Sequence, residues 1–135
     1  MKIELQDKAI LVTGSNSGIG FAIASELLNA GAKVALHYNA NSDGALSLEE
    51  QFPSQAKSFQ CDFSNSASIP GFFDQVLSWS DGLDVLINNA GMSIINSIDN
   101  NDEEWIHNWN TIMNINLLSA GILSKKALEL FKKQS

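Results

Sequence analysis

Thr13-Gly14-Ser15-Asn16-Ser17-Gly18-Ile19-Gly20 stands between an apolar run, Ala9-Ile10-Leu11-Val12, and a stretch with helical spacing. A strand must therefore turn sharply into a helix at this point. Gly14 can take the φ > 0 turn that a Cβ disfavours, Gly18 lets backbone approach a ligand, and Gly20 lets the helix lie close on the sheet. The free N–H groups of the new helix then face an anion, which gives the turn the form of a phosphate cradle. Taken alone, the same turn also fits a tight strand-to-helix connection with no ligand.

Outward from this turn, short apolar runs alternate with longer helical patterns, the signature of a parallel sheet wrapped by helices. Strands are expected near residues 8–13, 33–38, 57–62 and 83–88. Residues 18–30 put Ile19, Ala22, Ile23, Leu27 and Ala30 on one helical face, with Gly31 placed to cap it at C′. A short helix at 43–52 stops before Pro53, and another at 66–80 carries Ile69, Phe72, Phe73, Val76 and Leu77, with Pro70 in its first turn. The longest helix starts near Asp102, read as its N-cap with Glu103 and Glu104 in the first turn, and ends near Lys132 and Lys133. Along it Trp105, Trp109, Ile112, Met113, Asn116, Leu117, Ala120 and Leu123 are expected to pack on the sheet, while Ile115, Leu118 and Ile122 widen the apolar surface. With right-handed crossovers the strand order becomes 3-2-1-4, an α/β fold with a Rossmann-type parallel sheet, read as a single domain over residues 1–135.

Composition narrows the function. The chain has 135 residues, 44% of them hydrophobic and 17% charged, ordinary for a soluble globular domain able to bury a core. Acidic residues number 15 against 8 lysines and no arginine, and the net charge of −7 argues against non-specific binding to nucleic acid or anionic lipid. The one cysteine, Cys61, forms no internal disulfide and is read as a small buried apolar residue. Charges at Lys2, Glu4 and Asp7 stand where a signal peptide needs an apolar run, and no stretch approaches a membrane span, so a cytoplasmic location is expected. His37 and His107 have no partner at metal-ligand spacing and are read as core or surface residues, with no metal expected.

A second segment, Leu83-Asp84-Val85-Leu86-Ile87-Asn88-Asn89-Ala90-Gly91, is a buried-strand run ending in two carboxamides and a glycine. Together the two segments resemble the short-chain dehydrogenase/reductase family, whose Rossmann domain carries a Thr-Gly-x-x-x-Gly-x-Gly turn and an Asn-Asn-Ala-Gly strand end. Both are matched without a substitution, and the resemblance runs along essentially the whole chain. It implies a nicotinamide dinucleotide held by Gly14, Ser15, Asn16, Ser17, Gly18, Ile19 and Gly20, with Asn89, Ala90 and Gly91 approaching its ribose. Asn88 is expected to tie strands together, and the Thr13 hydroxyl to bond to the Asn-Asn-Ala-Gly segment.

The adenosine end should be read at the tips of the second and third strands. Asp62 closes the third strand where the family's acid contacts the adenine, although an Asp before Phe63-Ser64-Asn65 is as good a turn former. An acid at the end of the second strand would accept hydrogen bonds from the ribose hydroxyls and repel a 2′-phosphate. This chain has Tyr38 and Asn39 there, and its nearest acid is Asp43. Without that acid, and with donors at Ser15, Asn16, Ser17 and Asn39, NADP is favoured over NAD as the cofactor.

Asn116 lies in Met113-Asn114-Ile115-Asn116-Leu117, similar to the family's helix segment whose Asn joins a catalytic Asn-Ser-Tyr-Lys set and helps hold a proton-relay water. Asn114 and Asn116 diverge by about 200° around a helix, so only one can face the site, and alignment from Trp109 selects Asn116. Without the family context an Asn here is a solvated polar residue. The family's chemistry also needs a tyrosine with a lysine four residues on, the lysine lowering the phenol's pKa. Tyr38 is the one tyrosine and position 42 is Ser. The family's carbonyl-orienting serine belongs to a fifth strand, expected to begin at Ser135, so the fold is read as truncated before that strand.

Two functions stay open. One is the cofactor-binding part of an NADP(H)-dependent oxidoreductase, 3-oxoacyl reductase-like or a general short-chain dehydrogenase, acting on a small carbonyl or alcohol and inactive as these residues alone. The other is a non-catalytic module binding a dinucleotide or a partner. Met92, Ser93, Ile94 and Ile95 are placed to border a substrate. The broad last helix is read either as a homo-oligomer contact, as in the family, or as a surface covered by further chain.

Overall fold

The computed structural model describes residues 1–134, and the expected start of a fifth strand at Ser135 lies outside them. Four parallel strands, β1 (Ala9–Val12), β2 (Lys33–Tyr38), β3 (Ala56–Gln60) and β4 (Val85–Ile87), form one sheet in the order β3-β2-β1-β4. The helices α1 (Gly18–Asn29), α2 (Asp43–Gln51), α3 (Ile69–Ser80), α4 (Asp102–Met113) and α5 (Ser119–Gln134) connect and cover it, with a 3₁₀ turn over Ser66–Ser68 and a π-helical segment over Asn114–Leu118. The expected parallel α/β sheet and its strand order are present.

Strand side chains alternate between the two faces, so neighbours in sequence enter different cores. Ile10, Val12, Val34 and Leu36 pack with Ala24, Leu28, Ala45 and Leu48 beneath α1 and α2. Leu11 and Ala35 point the other way, to Phe72, Phe73, Val76, Leu123 and Ala127 of α3 and α5. Burial on both faces explains the near-continuous apolar strands. Each fully buried leucine such as Leu11 or Leu36 contributes about 1.5–3 kcal/mol through removal from water.

Several boundaries differ from the sequence expectation. β3 ends at Gln60 because Asp62 Oδ1 accepts from the Ser64 N–H and hydroxyl (2.9 and 2.7 Å), which turns the chain out of the sheet. β4 starts only at Val85, since Asp84 Oδ2 takes the Ala9 N–H and the Gln134 carboxamide engages Leu83. The N-cap of α4 is Asn101, not Asp102: its Oδ1 accepts from the Glu104 N–H at 2.8 Å. Asp102 is the first helical residue, with Glu103 and Glu104 beside it in the first turn.

The single long helix expected over 102–133 is three pieces, and its packed face is the expected one only in part. No residue of α4 is buried; Trp105, Trp109, Met113 and Leu117 are exposed, and Leu117 is 62% accessible. Leu123, part of the expected face, is fully buried, and Ile115, Ile122, Ala127, Leu130 and Phe131 meet the core with it. β4 is one of the two edge strands among the described residues, so beyond it α4 has no further strand to cover and overhangs the sheet. No helix among the described residues is long and apolar enough to cross a membrane.

Candidate functional site

A cleft of ≈ 390 Å³ opens over the carboxyl ends of the strands, beside the crossover from β1 to β4. Parallel sheets bind ligands there because the chain reverses direction and the turns part. Of the residues singled out in the sequence, Gly14, Asn16, Ser17, Tyr38, Asn39, Asn89, Ala90 and Gly91 line it. His37, Ala40, Cys61, Phe63, Met92 and Ile115 line it as well.

The wall between turn and strand end is laced by side chains. Thr13 Oγ1 accepts from the N–H groups of both Asn89 and Ala90, each at 2.9 Å, and its hydroxyl approaches the Ile87 carbonyl at 3.4 Å. Asn89 Nδ2 donates to the carbonyls of Thr13 and Gly14, both at 3.1 Å. Asn89, not Asn88, thus ties the strands. Asn88 is exposed, and its carboxamide reaches Ser124 on α5 at 3.1 Å. Successive strand residues face opposite ways, so one of the two asparagines had to turn from the β1 turn.

Gly14 adopts φ +62°, and a Cβ there would lie 2.9 Å from the Ala90 Cα. The turn thus presses on the strand end with no space for a side chain. Ser17 is the extended N-cap of α1 and makes no side-chain capping bond, so the first amides of the helix are not claimed by it. Gly18 also has positive φ, while Gly20 is buried under the turn. Ile19 projects outward, 75% accessible.

Ser15, Asn16 and Asn39 also make bonds within the protein. Ser15 is fully buried, and its hydroxyl and N–H both donate to the His37 carbonyl (3.2 and 3.0 Å), so its side chain shapes the turn and offers nothing to the cleft. Asn16 Oδ1 accepts the Ala45 N–H at 3.0 Å and secures the start of α2. Asn39 Oδ1 takes the Gln60 carboxamide at 3.2 Å. Asp62 is exposed at the mouth of a neighbouring hollow with Asn65 and Ser68, outside the main cleft.

Asn116 sits within the π-helical segment, a distortion common at functional sites. Its Oδ1 accepts the Met92 N–H and its Nδ2 donates to the Met92 carbonyl, both at 2.7 Å. It therefore clasps the segment leaving β4, and Gly91 leaves room for it: a Cβ there would meet Asn116 Oδ1 at 3.2 Å. Asn114 points elsewhere, to the Ser64 carbonyl at 3.3 Å.

His37 is the most consequential residue that sequence reasoning left aside as a core or surface histidine. It is 4% accessible, stacked on Phe63 with ring centroids 3.9 Å apart. Burial pushes its pKa down to about 4, against the raising effect of its bond to the Cys61 carbonyl, so it is neutral at pH 7. Burial, with the Asp62 charge, raises the Cys61 thiol despite the opposing Ser68 hydrogen bond. Among the described residues no group of His, Cys, Asp and Glu is placed to hold a metal ion.

The family model for short chain dehydrogenase matches residues 8–135. Sorbose reductase sou1 of Schizosaccharomyces pombe is 34% identical over 135 residues, 96% of this chain and 52% of that protein. Human 15-hydroxyprostaglandin dehydrogenase [NAD(+)] is 35% identical over 137 residues, 98% of this chain and 47% of its own length. A short chain dehydrogenase from Burkholderia cenocepacia J2315, solved in complex with NADP, superposes with a TM-score of 0.83 at 31% identity, over 94% of this chain and 52% of that one. The chain spans about half the length of the curated relatives it matches.

Proposed function

The chain belongs to the short chain dehydrogenase family, and from that membership we propose that it is the cofactor-binding part of an oxidoreductase using NADP(H) on a small carbonyl or alcohol. The observation that carries this is the lacing of the turn to the strand end, the Thr13 hydroxyl to the Asn89 and Ala90 amides and the Asn89 carboxamide to the Gly14 carbonyl, beside the uncapped first turn of α1. That arrangement fits a dinucleotide. A methyl group at Gly14 would collide with the strand end, and the first-turn amides of α1 supply donors that an anion accepts without a cationic side chain.

The cofactor, when bound, supplies or accepts the hydride. The residues of this chain bind and orient it. Ser17 and Gly18 present backbone to the diphosphate, Gly14 lets the turn press on the strand end, Asn16 keeps the turn against α2, and Ser15, Ile19 and Gly20 hold the shape and entry of the loop. Asn89, Ala90 and Gly91 flank the ribose. Tyr38 and Asn39 face the adenosine end, with Asp62 outside, at its rim. Asn116 holds Gly91 and Met92 in place, and its share in proton handling is part of the same proposal.

The preference for NADP rests on the end of β2. Tyr38, Asn39 and Ala40 carry no carboxylate, so nothing there repels a 2′-phosphate. The relation to the NADP complex is consistent with this, whereas the NAD(+) relative shows that membership alone does not choose. NADPH is expected to bind more tightly than NADH in a side-by-side titration; equal or reversed affinities contradict the preference.

Tyr-x-x-x-Lys does not occur within these 135 residues. Purified chain is therefore expected to bind NADPH but not to oxidise it with a ketone, and measurable turnover would mean that another acid serves. The second reading, a module that binds a dinucleotide or partner without catalysis, is favoured by that same sequence fact. The exposed face of Trp105, Trp109, Met113 and Leu117 fits a homo-oligomer contact under either reading. A cytoplasmic setting accompanies the proposal.

A further inference from the structure

The glycine-rich turn is anchored by one residue of the neighbouring strand. The Gly14 N–H donates to His37 Nδ1 at 3.0 Å, and His37 Nε2 meets the Cys61 carbonyl at 2.8 Å. The His37 carbonyl accepts from the Ser15 N–H and hydroxyl. Three donors of the turn thus converge on His37, from both its side chain and its backbone.

The two ring contacts fix each other. A carbonyl can only accept, so the Cys61 oxygen requires the proton on Nε2, which leaves the Nδ1 lone pair for Gly14. The ring cannot rotate away, because it lies flat on Phe63 (interplanar angle 2°) and meets Phe72 edge-on at 5.3 Å. The Gly14 amide is thereby turned from the cleft, and the peptide plane that starts the turn is set. We propose that His37 is a positioning residue for the dinucleotide: its Nε2–H tautomer, held by Cys61 and wedged on Phe63, fixes the Gly14 peptide and so the shape of the phosphate-binding turn. This rests on the reading of the cleft as a dinucleotide site.

Substitutions separate the hydrogen bond from mere bulk. His37→Asn places a carboxamide oxygen near the Nδ1 position and keeps an acceptor for Gly14. His37→Gln reaches the Nε2 position and loses that acceptor, while His37→Phe keeps the flat ring and loses both contacts. With NADPH as probe and circular dichroism as a check on folding, the Asn variant is expected to bind within a few-fold of the parent chain. The Gln and Phe variants are expected to bind roughly tenfold or more weakly, as follows from stranding one partly buried amide. Gln and Phe variants that bind as tightly as the parent overturn the proposal.

Failure of the parent chain to bind NADPH or NADH would overturn the dinucleotide reading and, with it, the role of His37 toward that ligand. Long-range ¹H–¹⁵N spectra of the parent chain test the clamp without any variant. A neutral ring protonated at Nε2 is expected, and a ring protonated at Nδ1 overturns the proposal even if every variant unfolds.

Discussion

A methyl group at Gly20 would meet the Gly14 carbonyl oxygen at 2.1 Å and Asn89 Nδ2 at 2.4 Å. Neither partner is the free end of a flexible chain, because the first is backbone and the second is held by two carbonyls. Gly20→Ala is therefore expected to destabilise the chain by about 2–4 kcal/mol, as overpacking of a fixed contact does. Urea denaturation measures it, and a loss within about 0.5 kcal/mol contradicts the account. His37 gives a pH signature. Its folded pKa of about 4 lies below the ordinary 6.5, so between those values the unfolded chain binds more protons and stability rises with pH. The contribution is complete above pH 6.5 and is lost as pH falls towards 4, on the order of 3 kcal/mol in all. Denaturation at pH 7 and pH 4.5 should show it as a difference between the parent and His37→Asn, and parallel losses in both contradict it. The glycines and Thr13 were legible because only their chemistry fits a turn pressed on a strand end. The engagement of the Ser15 hydroxyl by the His37 carbonyl, and of Asn16 Oδ1 by the Ala45 amide, was not legible, since the sequence shows a hydroxyl or carboxamide but not the backbone group it meets.

The number and order of the strands followed from apolar runs and right-handed crossovers, but not the length of β4. α3 followed from helical spacing with Pro70 as punctuation, and the extent of α1 from Gly31, although Gly20, Ala24 and Leu28 are its buried residues rather than Ile19 and Ala22. The region from Asp102 onward was harder to read. A 3.6-residue period continued through it puts Trp105 and Trp109 on the core side with Leu123, whereas Leu123 is buried, both tryptophans are exposed, and Ile115 and Ala127 meet the core. The π-helical segment alters the rotation per residue, and no residue type announces it. Its consequence is functional geometry, since Asn116 reaches Met92 from that segment and Asn114 reaches Ser64. Asn116→Leu removes both bonds to Met92, and faster hydrogen exchange at the Met92 amide is expected; unchanged exchange contradicts the clasp. At the other end, the Asn101 side chain caps α4, and Asn101→Ala is expected to cost about 1 kcal/mol. Asp102→Ala, which leaves the cap intact, should cost less in the same denaturation series.

On the scale of the whole molecule, two packed cores hold one sheet, and the cleft lies where turns from all four strands converge. Apolar surface remains on one side: Ile95 and Ile98 are more than nine-tenths accessible, and Trp105 and Trp109 are stacked with centroids 5.5 Å apart. Such a patch seeks cover. Paired Trp105→Gln and Trp109→Gln substitutions are expected to lower self-association in sedimentation, and unchanged mass contradicts the proposed contact. The central claim, that the cleft receives NADP(H), is tested most directly by titrating NADPH into ¹⁵N-labelled chain and following each backbone amide. The account predicts the largest shifts at Ser15–Gly20, Tyr38–Asn39 and Asn89–Gly91. Shifts centred elsewhere, or none at saturating NADPH, would contradict it.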